Sequence, residues 1–242
     1  MRLATFNIKH GAPAKDYPGD ADAAAAACAA LDADVLALQE VDDRVPRSGL
    51  ADLATAVARV TGTSVIFAPT IRIRGGRYGN ALLARGEVEY SEVVRLKGAR
   101  WLQGRRGGGR ILPIWREPRN AILATVLVQG HLLSVAATHL ATQHDVSKKQ
   151  LAQTAAKLQA MPEPWILMGD LNRTTEDVLS EPLLGSMELV DGPPTFPSWN
   201  ATKRIDHVAT RGLSVRPDGV RAVRSPDVSD HLALVVDVDV PR

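Results

Sequence analysis

The chain of 242 residues holds a single cysteine, Cys28. An intrachain disulfide is therefore excluded, and no thiolate cluster is available for a structural zinc site. Set in the alanine-rich run 23–30, Cys28 reads as a small buried hydrophobe. Aromatic residues are scarce at 4%, so the core must come from Val, Leu, Ile and Ala. No stretch approaches the roughly 20 apolar residues of a membrane-spanning helix. The amino terminus lacks a basic segment followed by an apolar run and opens directly into Leu3–Ile8, which reads as a strand. A cytoplasmic protein is the expectation. Net charge is small as well, at +2, but unevenly spread. Residues 72–119 hold 12 Lys and Arg against 4 Asp and Glu, a net +8, while the rest of the chain nets −6. A basic segment on an acidic chain suggests an anionic partner, with a merely solvated face as the alternative.

What the chain has in number is short apolar runs. Val35–Gln39, Val65–Ala68, Ala81–Ala84, Val88–Val94, Trp165–Met168, Ile205–Thr210 and Leu232–Val238 read as strands. Ala121–Val128 and Leu132–Thr138 flank Gln129-Gly130-His131 and read as a hairpin. Helical patterns are fewer. They cover Asp20–Leu31 with an Asp N-cap, Leu50–Val60 ending before Gly62, and Asp145–Ala160 ending near Pro162. Arg95–Pro118, with Arg105-Arg106-Gly107-Gly108-Gly109-Arg110 inside it, reads as a mobile loop. Trp101 and Trp115 flank it and would pack on the core or stack on bases. Periodicity alone supports α/β or α+β. The excess of strands over helices points further, to a four-layer α/β/β/α sandwich with two stacked mixed β-sheets flanked by helices, in one domain over 1–242.

Polar residues stand where these runs stop. Asn7 follows Leu3–Phe6, Gln39-Glu40 follows Leu36–Leu38, and His139 follows Val135–Thr138. Gly169-Asp170-Leu171-Asn172 follows Trp165–Met168, Ile205 leads into Asp206-His207, and Ser229-Asp230-His231 precedes the last run. Six such groups imply convergence on one end of the sheets. Glu40, Asn7 and Asp230 offer hard oxygens suited to Mg²⁺ or Mn²⁺. Phosphoryl chemistry needs charge neutralised on the phosphate, an oriented water and help for the leaving oxygen. His and Asp side chains can supply the last two.

In this order and across nearly the whole chain, these groups resemble the endonuclease/exonuclease/phosphatase superfamily of metal-dependent phosphoesterases. The resemblance implies metal binding by Glu40 with Asn7 beside it and Asp230 in the inner or outer shell. It implies that Asp170 orients or deprotonates the attacking water and that Asn172 holds a phosphate oxygen. His231 would contact the phosphate, oriented by Asp206, and His139 would be the second phosphate-side histidine. Arg119 resembles the family's arginine before the 121–128 strand, with Arg116 as its rival.

Tyr78 and Asn80, just before the 81–84 strand, are candidates to line the cleft and touch substrate. His207 neighbours Asp206 along a strand and must face the other way, so it is left out, as are His10 and His144. The expected activity is Mg²⁺- or Mn²⁺-dependent hydrolysis of a phosphodiester in nucleic acid or a nucleotide-like ester, with segment 72–119 holding the polyanion. A lipid headgroup or small sugar phosphate is the alternative substrate, and a phosphate-binding module without catalysis is the alternative of another class.

Overall fold

The computed structural model describes residues 1–14, 16–98, 101–106, 110–115 and 117–240, with side chains described outside 99–116. Fourteen strands are assigned among them: β1 Arg2–Asn7, β2 Val35–Asp43, β3 Ser64–Ile73, β4 Gly76–Ala84, β5 Glu87–Arg95, β6 Trp101–Arg106, β7 Arg110–Trp115, β8 Asn120–Val128, β9 His131–His139, β10 Trp165–Asp170, β11 Glu188–Leu189, β12 Asp206–Arg211, β13 Ser214–Val223 and β14 Ala233–Asp239. The four α-helices are α1 Ala21–Ala30, α2 Leu53–Thr61, α3 His144–Gln159 and α4 Thr175–Leu179.

Two six-stranded mixed sheets form, in the orders β13-β14-β1-β2-β4-β3 and β11-β12-β10-β9-β8-β5. Strand alternation sorts their side chains into layers. Leu3, Val35, Leu82, Ile122, Val135, Ile166, Val208 and Leu234 fill the space between the sheets. Phe6, Leu36 and Leu38 face the other way, onto Ala24, Cys28, Leu53 and Val57 of α1 and α2. Leu123, Ala136 and Leu167 face Leu151, Ala155 and Leu158 of α3. Helices thus cover both outer faces, as the α/β/β/α expectation required. Cys28 is buried in the α1 packing, and burial pushes its thiol up to about 12.

Local chemistry sets the boundaries. Asp20 caps α1 by accepting from the backbone N–H of Asp22 and Ala23, worth about 1 kcal/mol. Gly62 ends α2 in the left-handed region. Gln129 and Gly130 both have positive φ, at 52° and 81°, the two-residue turn that matches the twist of the β8–β9 hairpin.

The reading of 95–118 as a loop is corrected. β5 runs on to Arg95, and β6 and β7 pair antiparallel from Trp101↔Trp115 to Arg106↔Arg110 as a separate ribbon. Runs of arginine and glycine lack the apolar alternation by which a strand is read from sequence. Gly107–Gly109, Arg116 and the side chains of Trp101 and Trp115 lie outside the described residues. β13 carried no unbroken strand signal because Pro217 and Gly219 fall where its pairing shifts, between Val215 and Val220.

Candidate active site

The interior faces of both sheets end in polar residues at the same edge of the sandwich. On β1, Leu3, Thr5 and Asn7 alternate with the helix-facing Ala4 and Phe6. On β10, Asp170 follows Ile166 and Met168, and on β9, His139 follows Val135 and Ala137. On β12, Asp206 shares the face of Val208, whereas His207 points outward and donates from Nε2 to the Arg173 carbonyl at 2.8 Å.

Glu40 is the exception. Alternation after Leu36 and Leu38 would turn it toward the helices, but the β2–β4 register shifts between Leu38 and Val41. Glu40 sits in that bulge with φ 58°, and its side chain reaches the interior cleft. Gly169 meets a related demand. Its φ is +151°, and a Cβ there would lie 1.9 Å from the Thr138 carbonyl oxygen, so β9 and β10 can approach only with glycine at that point.

The cleft holds about 460 Å³ and is walled by Lys9, Glu40, Arg119, His139, Asp170, Asn172, Asp230 and His231, among others. Asp170 lies at its centre and is almost fully buried. Its Oδ1 accepts from the Asn172 N–H at 3.0 Å, and its Oδ2 accepts from Asn7 Nδ2 at 3.1 Å. The same Asn7 amide donates to Glu40 Oε1 at 3.1 Å. His139 Nε2 lies 3.4 Å and His231 Nε2 3.9 Å from Asp170 Oδ2. Arg119 Nη1 stands 3.1 Å from His139 Nδ1. A guanidinium can only donate, so Nδ1 is the acceptor and the neutral ring carries its hydrogen on Nε2, toward Asp170. Arg119 also donates to Glu117 at 2.7 Å.

His231 Nδ1 pairs with Asp206 Oδ2 at 2.9 Å, and the Thr195 hydroxyl donates to the same oxygen at 2.6 Å. The Phe196 ring leans on the imidazole with centroids 4.8 Å apart. Ser229 donates to the Asn7 carbonyl and accepts from the His231 N–H, joining the two ends of the first sheet's contribution.

Burial and fields separate the titrations. Burial, with Asp206 nearby, pushes the Asp170 carboxyl up to about 7. Burial alone would lower His231, but the charge and hydrogen bond of Asp206, with Asp170 and Asp230 behind it, raise it to about 10. His139 is held well below the usual imidazole range by burial, Arg119 and His231. One histidine is therefore a cation and the other neutral at pH 7, on either side of one carboxyl.

Two donor sets could take a cation. Asp170, Asp206 and His231 place three ligand atoms within 4.8 Å of one another, and Asp206 Oδ1 is buried without a partner among the described residues. In that set, however, His231 Nδ1 and Asp206 Oδ2 already bond each other. Glu40, joined to Asp170 through Asn7, supplies hard oxygens on the open cleft, and a hard divalent cation suits it better.

Nine of the expected site residues converge here: Asn7, Glu40, Arg119, His139, Asp170, Asn172, Asp206, Asp230 and His231. Tyr78 and Asn80, expected on the cleft wall, lie behind it. Asn80 donates to Asn120 Oδ1 at 2.8 Å in a buried polar link between the sheets. Tyr78 is buried under the Arg47 guanidinium, and burial followed by the fields of Glu40 and Glu117 raises its hydroxyl well above its usual value. Lys9, whose Nζ meets Asp230 Oδ2 at 2.5 Å, and Thr195 were missed. Lys9 stood two residues from Asn7 as a usable signal, whereas Thr195 had none.

A sequence profile of the endonuclease/exonuclease/phosphatase family matches residues 4–231. The chain belongs to that family. Its members are generally phosphoester hydrolases and typically depend on a divalent metal. No curated protein matches the sequence. Among solved structures, an endonuclease/exonuclease/phosphatase protein from Beutenbergia cavernae DSM 12333 is similar at TM-score 0.73 and 23% identity, over 99% of this chain and 71% of that one. TDP2 from D. rerio, complexed with single-strand DNA product, is similar at 0.73 and 17%, over 99% and 98%. A mannosyl-6-phosphatase from Bacteroides thetaiotaomicron VPI-5482 is similar at 0.69 and 14%, over 99% of each chain. At these identities the likeness establishes the fold. No helix among the described residues is long and apolar enough to cross a membrane.

Proposed function

We propose that this protein is a divalent-metal-dependent phosphodiesterase acting on nucleic acid or a nucleotide-like ester. The observation that carries the reading is the Asp170 carboxyl held between neutral His139 and cationic His231, with His231 anchored on buried Asp206. A carboxyl pushed up to about 7 is matched to taking a proton from water near neutral pH. Hydrogen bonds from Asn172 N–H and Asn7 Nδ2 fix both of its oxygens, so an incoming water is oriented rather than merely bound. His231 donates from Nε2 to a phosphate oxygen and stabilises the charge that builds there, because Asp206 keeps it protonated. Asn172 has one amide hydrogen left after its bond to the Leu140 carbonyl, and it turns that to a second phosphate oxygen. Glu40, with Asn7 and Asp230 beside it, would hold Mg²⁺ or Mn²⁺, which supplies charge neutralisation on the phosphoryl group.

The diester preference rests on charge. Arg72, Arg74, Arg95 and Lys97 make no ion pair among the described residues, while Arg77, Arg85 and Arg119 are engaged by Asp43, Asp32 and Glu117. Arg95 and Lys97 line the cavity that shares Arg119 with the cleft, and four open cations in one segment favour a polyanion over a small sugar phosphate. The test is hydrolysis of plasmid DNA, bis-p-nitrophenyl phosphate and p-nitrophenyl phosphate with Mg²⁺ or Mn²⁺ and an EDTA control. Nicking that EDTA stops supports the nuclease reading. Turnover of p-nitrophenyl phosphate alone moves the substrate to small phosphomonoesters, and silence on all three sinks the hydrolase reading.

A further inference from the structure

A second cavity of about 430 Å³ lies beside the catalytic cleft, and Arg119 belongs to the walls of both. Its apolar wall comes from Leu96, Pro118, Ala141 and Val146, and its volume is within the usual range for small-ligand sites. Gln150 closes one side. It is 2% exposed, its Oε1 accepts from the Ala141 N–H at 2.9 Å, and among the described residues its Nε2 has no partner. That Nε2 lies against Gly98, where an added Cβ would come within 3.2 Å of it and of Val146 Cγ1. Glycine at 98 thus keeps this side of the cavity uncrowded, since a Cβ there would press on both side chains. Arg95 and Lys97 stand at the rim, exposed and in no ion pair among the described residues. The one acid among the described residues of the wall, Glu117, is engaged by Arg119.

We propose that this cavity is a subsite for the organic arm of the phosphodiester, of nucleoside size, with a further phosphate of that arm meeting Arg95 and Lys97. The inference rests on the phosphodiesterase reading and narrows it to a nucleotide chain. The geometry is continuous. A phosphate at His231 and Asn172 lies on one side of Arg119, and the group attached to it enters on the other. Apolar faces from Val146, Pro118 and Leu96 cover a flat ring, and the free amide hydrogens of Gln150 address its polar edge. Two unpaired cations at the mouth then match the next phosphate along the chain.

The test compares two chromogenic esters that release the same p-nitrophenolate: thymidine 3′-phosphate 5′-(p-nitrophenyl phosphate), and bis-p-nitrophenyl phosphate, which has no nucleoside. The wild type is expected to favour the thymidine ester in kcat/KM by about tenfold or more, since the subsite adds binding energy only for the long arm. Val146→Trp fills the cavity, and the ratio of the two kcat/KM values should fall by about tenfold. Lys97→Ala, at an exposed position that tolerates truncation, should lower the ratio through KM and lose its effect when the 3′-phosphate is omitted from the thymidine ester. A ratio unmoved in both variants, or a wild type that prefers bis-p-nitrophenyl phosphate, overturns the subsite and leaves the hydrolase reading standing. Failure of the wild type to release nitrophenolate from either ester with Mg²⁺ or Mn²⁺ overturns both.

Discussion

The two sheets bring different chemistry to one cleft. The first, through β1, the β2 bulge and the turn before β14, contributes Asn7, Glu40, Asp230 and His231. Glu40 and Asp230 among these, the carboxylates proposed to hold the cation, are only half-buried, and Asp230 faces the Lys9 ammonium. The second, through β9, β10 and β12, contributes His139, Asp170 and Asp206, all almost fully buried. Oxygens that must bind a hydrated metal need access, whereas groups that must hold or release a proton near pH 7 need low dielectric to move their titration. The division of labour follows from burial, and the bond of Asn7 to both Glu40 and Asp170 is where the two halves meet.

The sharpest way to break this comparison is Asp170→Asn. Turnover should fall about 10³-fold, within the span for loss of a positioned base. The Asn172 N–H bond to the side chain survives, so the fold should hold and the metal isotherm should stay close to wild type. A kcat within tenfold of wild type at saturating Mg²⁺ would remove Asp170 as the water-activating group.

A smaller effect concerns the two histidines that flank Asp206, one beside it in β12 and one bonded to it. Burial holds His207 near pKa 4 against 6.5 for a free imidazole. The unfolded chain therefore binds the extra proton between those values. The stability His207 contributes is present above pH 6.5 and is lost as pH falls toward 4, by about 3 kcal/mol for the full gap. His231 has the opposite sign. Its folded value of about 10 makes its contribution complete below pH 6.5 and lost as pH rises through 10. Urea unfolding of wild type and His207→Gln from pH 7 to 4.5 should show the wild type losing stability more steeply. Parallel curves would remove His207 as the cause.

The smallest effect expected is at the metal. Glu40→Ala should weaken Mg²⁺ or Mn²⁺ binding by at least about tenfold in calorimetry, since even outer partners of a metal contribute that much. An unchanged isotherm would transfer the cation to the Asp170, Asp206 and His231 set, where three ligand atoms also converge.

Much of this was legible in the chain before any tertiary detail. Asn7, His139, Asp170 and Asp206 stood where apolar runs start or stop, which placed them at one end of the sheets; the alternation seen in the structure adds the face. Alternation next to Asp206 excluded His207, which the structure directs to the Arg173 carbonyl. Asn80 misled because a buried amide beside a strand looks alike whether it meets substrate or, as here, Asn120 across the sheets. Thr195 was invisible because its role depends on a contact with Asp206, 11 residues away, that no local pattern encodes.

The sequence by itself determined the layers, the apolar content of the helix–sheet interfaces on both outer faces and the identity of the residues that end at the cleft, because hydrophobic periodicity and residue chemistry are local properties. Only the tertiary structure decided that Glu40 turns inward, since a bulge is a mismatch between two strands and exists in neither alone. It also decided which imidazole is charged. His139 and His231 are chemically identical side chains, and burial opposes the charge on both; at His139 Arg119 adds to that effect, whereas at His231 Asp206 overcomes it.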